Sequence, residues 1–137
     1  MLPDADLFTL FYEPDRVSPV IRAHRCQTSF LQPLRGIYRS LLPLMPMALE
    51  QFDLRGYDLI VSSESGPAKG VLVPSQARHV CYCHTPMRYA WDLTFDYLKT
   101  SAWGRGIWGG MTRFLLHTLR QWDVISAHRV DHFIANS

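Results

Sequence analysis

The fold is decided by the stretch His79–Asp92, which reads HVCYCHTPMRYAWD. Residues 79–83 have the composition of a short buried strand. His84, Thr85 and Pro86 end this strand, and a segment rich in helix formers follows at once. In an open α/β sheet, ligands bind just outside the carboxyl ends of the strands. The stretch therefore predicts one strand of such a sheet with a polar binding or catalytic cluster at its end.

The rest of the chain alternates apolar strands with helical patterns. Short strands that alternate with helices are typical of βαβ units, a parallel sheet and right-handed crossovers. Pro43 and Pro46 interrupt a helical pattern over 29–51, which predicts two short helices there. The predicted class is α/β. We predict the strands at 5–12, 57–62, 79–83 and 130–135, and further helices at 87–98 and at 111–128, the last from apolar residues at 111, 115, 119, 122 and 125.

Composition places the chain among globular proteins and argues against a nucleic-acid partner, a membrane span and secretion. Its 137 residues are 47% hydrophobic and 19% charged, which suits one globular domain. The net charge of +2 is small and the basic residues are scattered, so we expect no nucleic-acid partner. Neither a membrane-spanning run nor a secretory signal is evident, which predicts a cytosolic location.

The three cysteines, Cys26, Cys81 and Cys83, are an odd number. Cys81 and Cys83 lie two apart on the predicted strand, so they share one face and are expected to be packed thiols. A metal site at Cys81, Cys83 and His84 would need a fourth ligand, and none is evident. We therefore predict no metal.

His84 is the first candidate for function. On the strand it shares one face with Val80 and Tyr82. Thr85 suits a helix N-cap and Pro86 suits the first helical turn, so an anion such as phosphate would be favoured nearby. We interpret His84 as a donor to a sugar hydroxyl or a phosphate, in preference to a histidine that only caps a backbone group.

Arg88 and the aromatic residues beside it form a second candidate group. Arg88 is placed for a phosphate at the start of the following helix. Tyr89 and Trp91 could stack on a sugar or a base, although aromatic residues at helical spacing more often belong to a core.

A third candidate group follows the strand at 57–62. Ser62, Ser63, Glu64 and Lys69 lie in or beside a predicted loop whose glycines would let backbone amides approach a ligand. The spacing does not fit the phosphate-binding loop of nucleotide triphosphatases. A solvated polar loop without function is the alternative that this pattern leaves open.

The segment from Trp103 to Arg113 mixes tryptophan, glycine and arginine. Interfacial membrane segments have this composition, with rings at headgroup depth and cations on anionic lipid. Because the segment is short, we prefer a lid or a packing segment and keep peripheral membrane contact as the alternative.

Two motif classes are absent from the sequence. There is no Gly-x-Ser-x-Gly elbow, which argues against a serine hydrolase, and no Gly-x-Gly-x-x-Gly fingerprint, which argues against a dinucleotide dehydrogenase.

Four stretches, taken in order, resemble the N-terminal half of bacterial family 4 glycosyltransferases, and mannosyltransferase-like members of polysaccharide and lipopolysaccharide assembly above all. The run Cys81–Asp92 is the specific part of the resemblance. Two further stretches, Leu2–Leu10 and Tyr38–Pro46, fit the same pattern. The four stretches are Tyr57–Ser63, Ala68–Gly70, Cys81–Asp92 and Arg129–Ser137.

The resemblance implies a retaining enzyme of GT-B architecture, in which two Rossmann-like domains face each other across a cleft. It implies hexosyl transfer from a nucleotide sugar to a lipid-linked or polysaccharide acceptor, with mannose from GDP-mannose as one expected case and with no metal or other cofactor. His84 would be the catalytic-site residue that reaches the transferring sugar. The substrate-binding candidates are Ser62, Ser63, Lys69, Thr85 and Arg88.

Relative to that family, residues 1–137 look like a partial acceptor domain. The first strand with its glycine-rich turn and the C-terminal donor domain have no counterpart, so we expect the isolated chain to be inactive, since nothing would stabilise the leaving diphosphate. The alternative is a non-catalytic binding module, or a subunit that pairs with a separate donor domain. A sugar-nucleotide epimerase is a weaker alternative without assignable carboxylates. We expect a cytoplasmic location, with peripheral contact at the inner face of the cytoplasmic membrane as the alternative.

Overall fold

The chain is an α/β protein with small parallel sheets, as the sequence predicts. A computed structural model describes residues 4–64, 66–88, 90–92 and 106–136. The chain divides into two compact units, Met1–Phe52 and Asp53–Ser137. In chain order the elements are β1 (Leu7–Thr9), a 3₁₀ turn (Pro14–Arg16), α1 (Pro19–Arg22), β2 (Cys26–Thr28), a 3₁₀ helix (Gln32–Leu44), α2 (Met45–Glu50), β3 (Leu59–Glu64), a 3₁₀ turn (Ala68–Gly70), β4 (Arg78–Cys83), α3 (Gly106–Ala127) and β5 (His132–Ala135).

The first unit contains a two-stranded parallel sheet. β1 pairs with β2 in a register that sets Leu7 opposite Cys26 and Thr9 opposite Thr28. The strand predicted over 5–12 is confirmed at its centre, but its place in one common sheet is wrong, because its partner is β2. β2 was not predicted since a strand of three residues is too short to show alternation.

The helical part of the first unit closes a small apolar core. Leu31, Leu41, Met45 and Ala48 form this core, and Leu10 and Phe11 pack against it. The predicted break of the helical pattern is confirmed at Leu44–Met45, next to the two prolines. The first segment is 3₁₀-helical rather than α-helical and is kinked at Ile37, where the backbone is not helical; Pro43, which lacks a backbone N–H, lies in its last part.

The second unit is built on a parallel sheet in the order β3-β4-β5. The strands predicted from 57, 79 and 130 are confirmed, and β3 runs further than predicted, to Glu64. The register sets Glu64 opposite Cys83, and Cys83 opposite Ala135. The carboxyl ends of three neighbouring strands therefore meet at one edge, which is where the sequence predicts binding.

The long helix α3 confirms the helix predicted at 111–128 but turns a different face to the core. Its buried side chains include Leu116, Leu119, Asp123 and Ser126. Of the predicted apolar positions, Met111, Leu115 and Ile125 are exposed, Trp122 is half-buried and Leu119 alone is fully covered, so most of the predicted apolar face is wrong. The physical reason is that Asp123 is drawn into an ion pair beneath the helix, which fixes the rotation of the helix about its axis.

The helix predicted over 87–98 falls largely outside the described residues. Its described part forms a turn, in which the carbonyl of Met87 accepts from the backbone N–H groups of Ala90 and Trp91. Met87 and Ala90 are fully buried and anchor this turn in the second unit.

Substitution of Gly70 by alanine is expected to destabilise the second unit. A Cβ at this position would overlap the ring of Trp122, and the site is buried. We expect Gly70→Ala to lower the free energy of unfolding by about 1–3 kcal/mol, the usual cost of overpacking. Chemical denaturation followed by circular dichroism measures it.

The matched control is Gly110→Ala. Gly110 lies in α3, is exposed and has open space around a built Cβ. Alanine there should raise the free energy of unfolding by about 0.5–1 kcal/mol, because glycine weakens a helix interior. Equal effects of the two substitutions would contradict the contact between Gly70 and Trp122.

Candidate functional site

A serine and a histidine meet at the carboxyl edge of the second unit's sheet. Ser63 Oγ lies 2.9 Å from His84 Nε2, and both side chains are exposed. The backbone holds them there, since the N–H of His84 donates to the carbonyl of Glu64 at 2.8 Å. On the next strand, the N–H of Asn136 donates to the carbonyl of Cys83 at 3.1 Å. The structure thus places Ser63, His84 and the exposed Asn136 at one edge.

The imidazole of His84 is positioned by two neighbouring side chains. The ring of Tyr82 meets it edge to face, with the ring centroids 4.8 Å apart, and Ser63 provides the hydrogen bond. The alternative of a histidine that caps a backbone group finds no support in these contacts, because the partner of Nε2 is a hydroxyl. A hydroxyl and an imidazole can both donate and accept, which suits recognition of sugar hydroxyls.

Ser62 points away from this edge, into the covered face of the sheet. Alternation along β3 sends Ser62 to the face opposite Ser63, where its Oγ lies 2.9 Å from His79 Nε2. His79 Nδ1 lies 3.2 Å from the carbonyl oxygen of Arg129. Because a carbonyl can only accept, Nδ1 carries the proton and the hydroxyl of Ser62 donates to Nε2. The structure therefore separates Ser62 from the pair at the edge.

Lys69 lies at the centre of a buried ion cluster. Its ammonium is 3.1 Å from Glu64 Oε1 and 2.5 Å from Asp123 Oδ1. The backbone N–H of Lys69 also donates to Glu64 Oε2 at 2.9 Å. The indole N–H of Trp91 donates to the second oxygen of Asp123 at 2.9 Å. We call Glu64, Lys69 and Asp123 the ion cluster.

The two carboxylates keep Lys69 charged in spite of its burial. Burial alone would favour the neutral amine, but the hydrogen bond to Asp123 and the charges of both carboxylates outweigh it, so the pKa of Lys69 is raised above its ordinary value. The interpretation of this segment as a solvated loop is wrong for Glu64 and Lys69, which are both buried. The binding role predicted for Lys69 stays a prediction, and it would require the ammonium to leave these carboxylates.

The remaining predicted site residues follow His84 along the chain. Thr85 is half-buried and Arg88 is exposed, so the guanidinium faces solvent on the segment that leaves the sheet edge. Tyr89, Trp103 and Arg105 lie outside the described residues. Sequence reasoning missed Asp123 and Asn136. A signal for Asp123 was present, since it is the one acidic residue in the sequence of the helix 106–127.

The three cysteines differ in their burial. Cys81 is fully buried, as predicted for a packed thiol, and burial raises the pKa of its thiol. Cys83 and Cys26 are half-buried, and all three thiols are free. Within the described ranges, no group of three or more His, Cys, Asp or Glu side chains is arranged to hold a metal ion.

The chain finds no match among protein-family models, curated proteins or solved structures.

Removing the charge of Lys69 is expected to destabilise the second unit strongly. Lys69→Met would leave two carboxylates buried against each other without a cation. Breaking a buried ion pair from one side costs about 3–5 kcal/mol, and we expect a loss of this size in the free energy of unfolding. Urea denaturation measures it.

The control for Lys69 is an ion pair of similar geometry at the surface. Arg55 and Asp53 are 2.6 Å apart and mostly exposed. Arg55→Met should leave the free energy of unfolding nearly unchanged, because water and salt screen an exposed pair. If Lys69→Met changed the free energy of unfolding as little as Arg55→Met, the ion cluster would not stabilise the second unit.

His79 is expected to make the protein sensitive to mild acid. Burial holds the pKa of His79 below its ordinary value of 6.5, although the carbonyl of Arg129 and the charge of Asp131 oppose this shift. The unfolded chain then binds a proton that the folded chain does not, so the free energy of unfolding should fall as the pH drops below 6.5. Denaturation curves at a series of pH values measure the slope. His79→Gln should flatten it, and a stability that rises on acidification in this window would contradict the buried neutral imidazole.

Proposed function

We propose that the chain forms the acceptor-side wall of a glycosyltransferase that moves a hexose, with mannose from GDP-mannose as the first donor to test. The observation that carries the proposal is the exposed Ser63–His84 pair at the carboxyl edge of a parallel sheet. Ligands of α/β proteins bind at this edge. The resemblance of Cys81–Asp92 to family 4 glycosyltransferases supplies the reaction, and it implies a Rossmann-like domain of a GT-B enzyme as the finer description of the fold.

Each residue at the edge has a role that its surroundings support. The imidazole of His84, oriented by Ser63 and Tyr82, donates to or accepts from a hydroxyl of the transferring sugar. The exposed guanidinium of Arg88 pairs with a phosphate of the donor or of a lipid-linked acceptor. Ser63 and Thr85 add hydroxyl contacts on the same side.

In the proposed reaction, the acceptor hydroxyl attacks the anomeric carbon and forms the new glycosidic bond. The bond from that carbon to the diphosphate breaks on the same face of the sugar, as retention requires. The nucleotide diphosphate leaves with the electron pair, and its oxygen takes up the proton that the acceptor hydroxyl releases. This chain contributes by holding the sugar and the acceptor in a reactive geometry, while a donor domain stabilises the diphosphate charge. The role of this chain in catalysis is therefore to position the two substrates.

A non-catalytic module that pairs with a separate donor domain is the second candidate. One observation favours it: Leu59, Val61 and Ile134, on the face of the sheet opposite His79 and Cys81, are about half exposed. Parallel sheets are normally covered on both faces, so this apolar face suits contact with further protein. If substitution of His84 at the carboxyl edge of the sheet left the transfer rate unchanged, this second candidate would be favoured over the first.

The decisive experiment is His84→Ala in an enzyme that carries this chain together with a donor domain. Product formation from a panel of nucleotide sugars, GDP-mannose included, is followed by mass spectrometry with a lipid-linked acceptor. We expect the transfer rate to fall by about 100-fold, the usual effect of misplacing a reacting group. Since His84 is exposed, the melting temperature should stay the same.

His132→Ala is the matched control, because His132 is an exposed histidine at the amino end of β5. Its removal should leave the rate unchanged. A His84→Ala enzyme that transfers as fast as the parent, or that loses stability together with activity, would overturn the assignment of His84.

A further inference from the structure

The helix α3 exposes a stripe of apolar side chains along its length. Leu116, Leu119, Asp123 and Ser126 are buried, and a second set of apolar side chains lies exposed outside this buried face. Relative to Met111, Phe114, Leu115 and Ile125 lie three, four and fourteen positions further along the chain. This spacing places the four side chains on one helical face. The stripe consists of Met111, Phe114, Leu115 and Ile125, of which Phe114 is 64% exposed.

A row of basic side chains flanks this apolar stripe. Arg113, His117 and Arg120 follow one another at spacings of four and three, so they form a parallel row on one side of it. The one acidic residue of α3, Asp123, is buried and bound to Lys69. Arg113 and His117 are exposed, whereas Arg120 is half-buried and its guanidinium donates to the backbone carbonyl of Ala90 at 3.0 Å. The ionisable side chains that the helix exposes are therefore all basic. Apolar and basic rows side by side on one helix are the pattern of helices that lie in a membrane interface.

An open groove of about 570 Å³ lies beside the basic row. Its walls are the side chains of Trp91, His117, Arg120, Gln121, Val124 and Ile125. Trp91 is 43% exposed, and its indole N–H is fixed by Asp123. Tryptophan is enriched at headgroup depth in membranes, and cations at this depth bind lipid phosphate. The groove thus combines a ring, an apolar wall and positive charge at the edge of the stripe.

We infer that α3 is a membrane-surface helix that docks on anionic lipid, with Phe114 and Ile125 in the acyl-chain boundary and the exposed Arg113 and His117 at the phosphates. Charge complementarity selects an anionic bilayer over a second copy of the chain, because two copies of this face would bring like charges together. In the described ranges, no helix has the length and apolarity that crossing a bilayer requires, so the helix lies on the surface. The inference stands independently of sugar transfer.

Flotation of the 137-residue chain with vesicles tests this inference without any sugar present. Vesicles of phosphatidylcholine mixed with phosphatidylglycerol are compared with vesicles of phosphatidylcholine alone. We expect at least about tenfold tighter binding to the anionic vesicles, since each basic residue near such a surface contributes about fivefold. Phe114→Glu should weaken binding by more than about tenfold, through the loss of apolar contact and the added negative charge. Arg113→Gln should weaken it about fivefold and reduce its dependence on salt.

The matched controls change the same residue types in the other unit. Val20→Glu replaces an apolar side chain that is 59% exposed, and Arg22→Gln removes an exposed arginine; neither should alter vesicle binding. Circular dichroism shows whether each variant keeps its fold. Equal binding to both vesicle types, or unchanged binding of Phe114→Glu, would overturn the inference. A dimer that Phe114→Glu dissociates, with no binding to vesicles, would assign the stripe to a second copy instead.

Discussion

The second unit depends on one buried cation and the two carboxylates that surround it. Isolated charges are strongly disfavoured in a protein interior, so Glu64, Lys69 and Asp123 must stay together once they are buried. The ion cluster joins the end of β3, the turn that follows it and the middle of α3. It thereby decides which side of α3 faces the sheet. The exposure of the apolar stripe on the other side is a consequence of this choice, because part of the inner face of the helix is taken up by a polar contact.

The candidate site follows from the simplest rule of strand geometry. Consecutive residues of β3 point to opposite faces, so neighbouring serines have different surroundings. Ser62 completes the buried hydrogen bonds of His79, whereas Ser63 meets His84 at the open edge. Each serine thus has its own histidine, one on each face of the sheet. The inner pair stabilises the strand that presents the outer pair.

Much of the fold could be predicted from the sequence, and the site in part. The strands at β3, β4 and β5 carry enough apolar residues to be recognised, and His84 marks the strand end because Pro86 follows it. β2 was not predicted, because a strand of three residues is too short to show the alternation of apolar and polar residues. The depth of Lys69 could not be predicted, since its partner Asp123 is 54 residues away and sequence spacing reveals nothing about interactions over that distance. Lysine after a glycine-rich loop is more often exposed, which is why the buried ion cluster needed the structure.

The same separation along the chain has a consequence for the order of folding. Glu64 and Lys69 are five residues apart and can meet as soon as β3 and the following turn have left the ribosome. Asp123 is synthesised later, because the N-terminal part of a chain emerges first. Until α3 docks, Asp123 is missing from the ion cluster, and water can still reach the ammonium of Lys69. Burial of the lysine and docking of the helix are therefore one step, which couples a local turn to a distant helix in a single cooperative event.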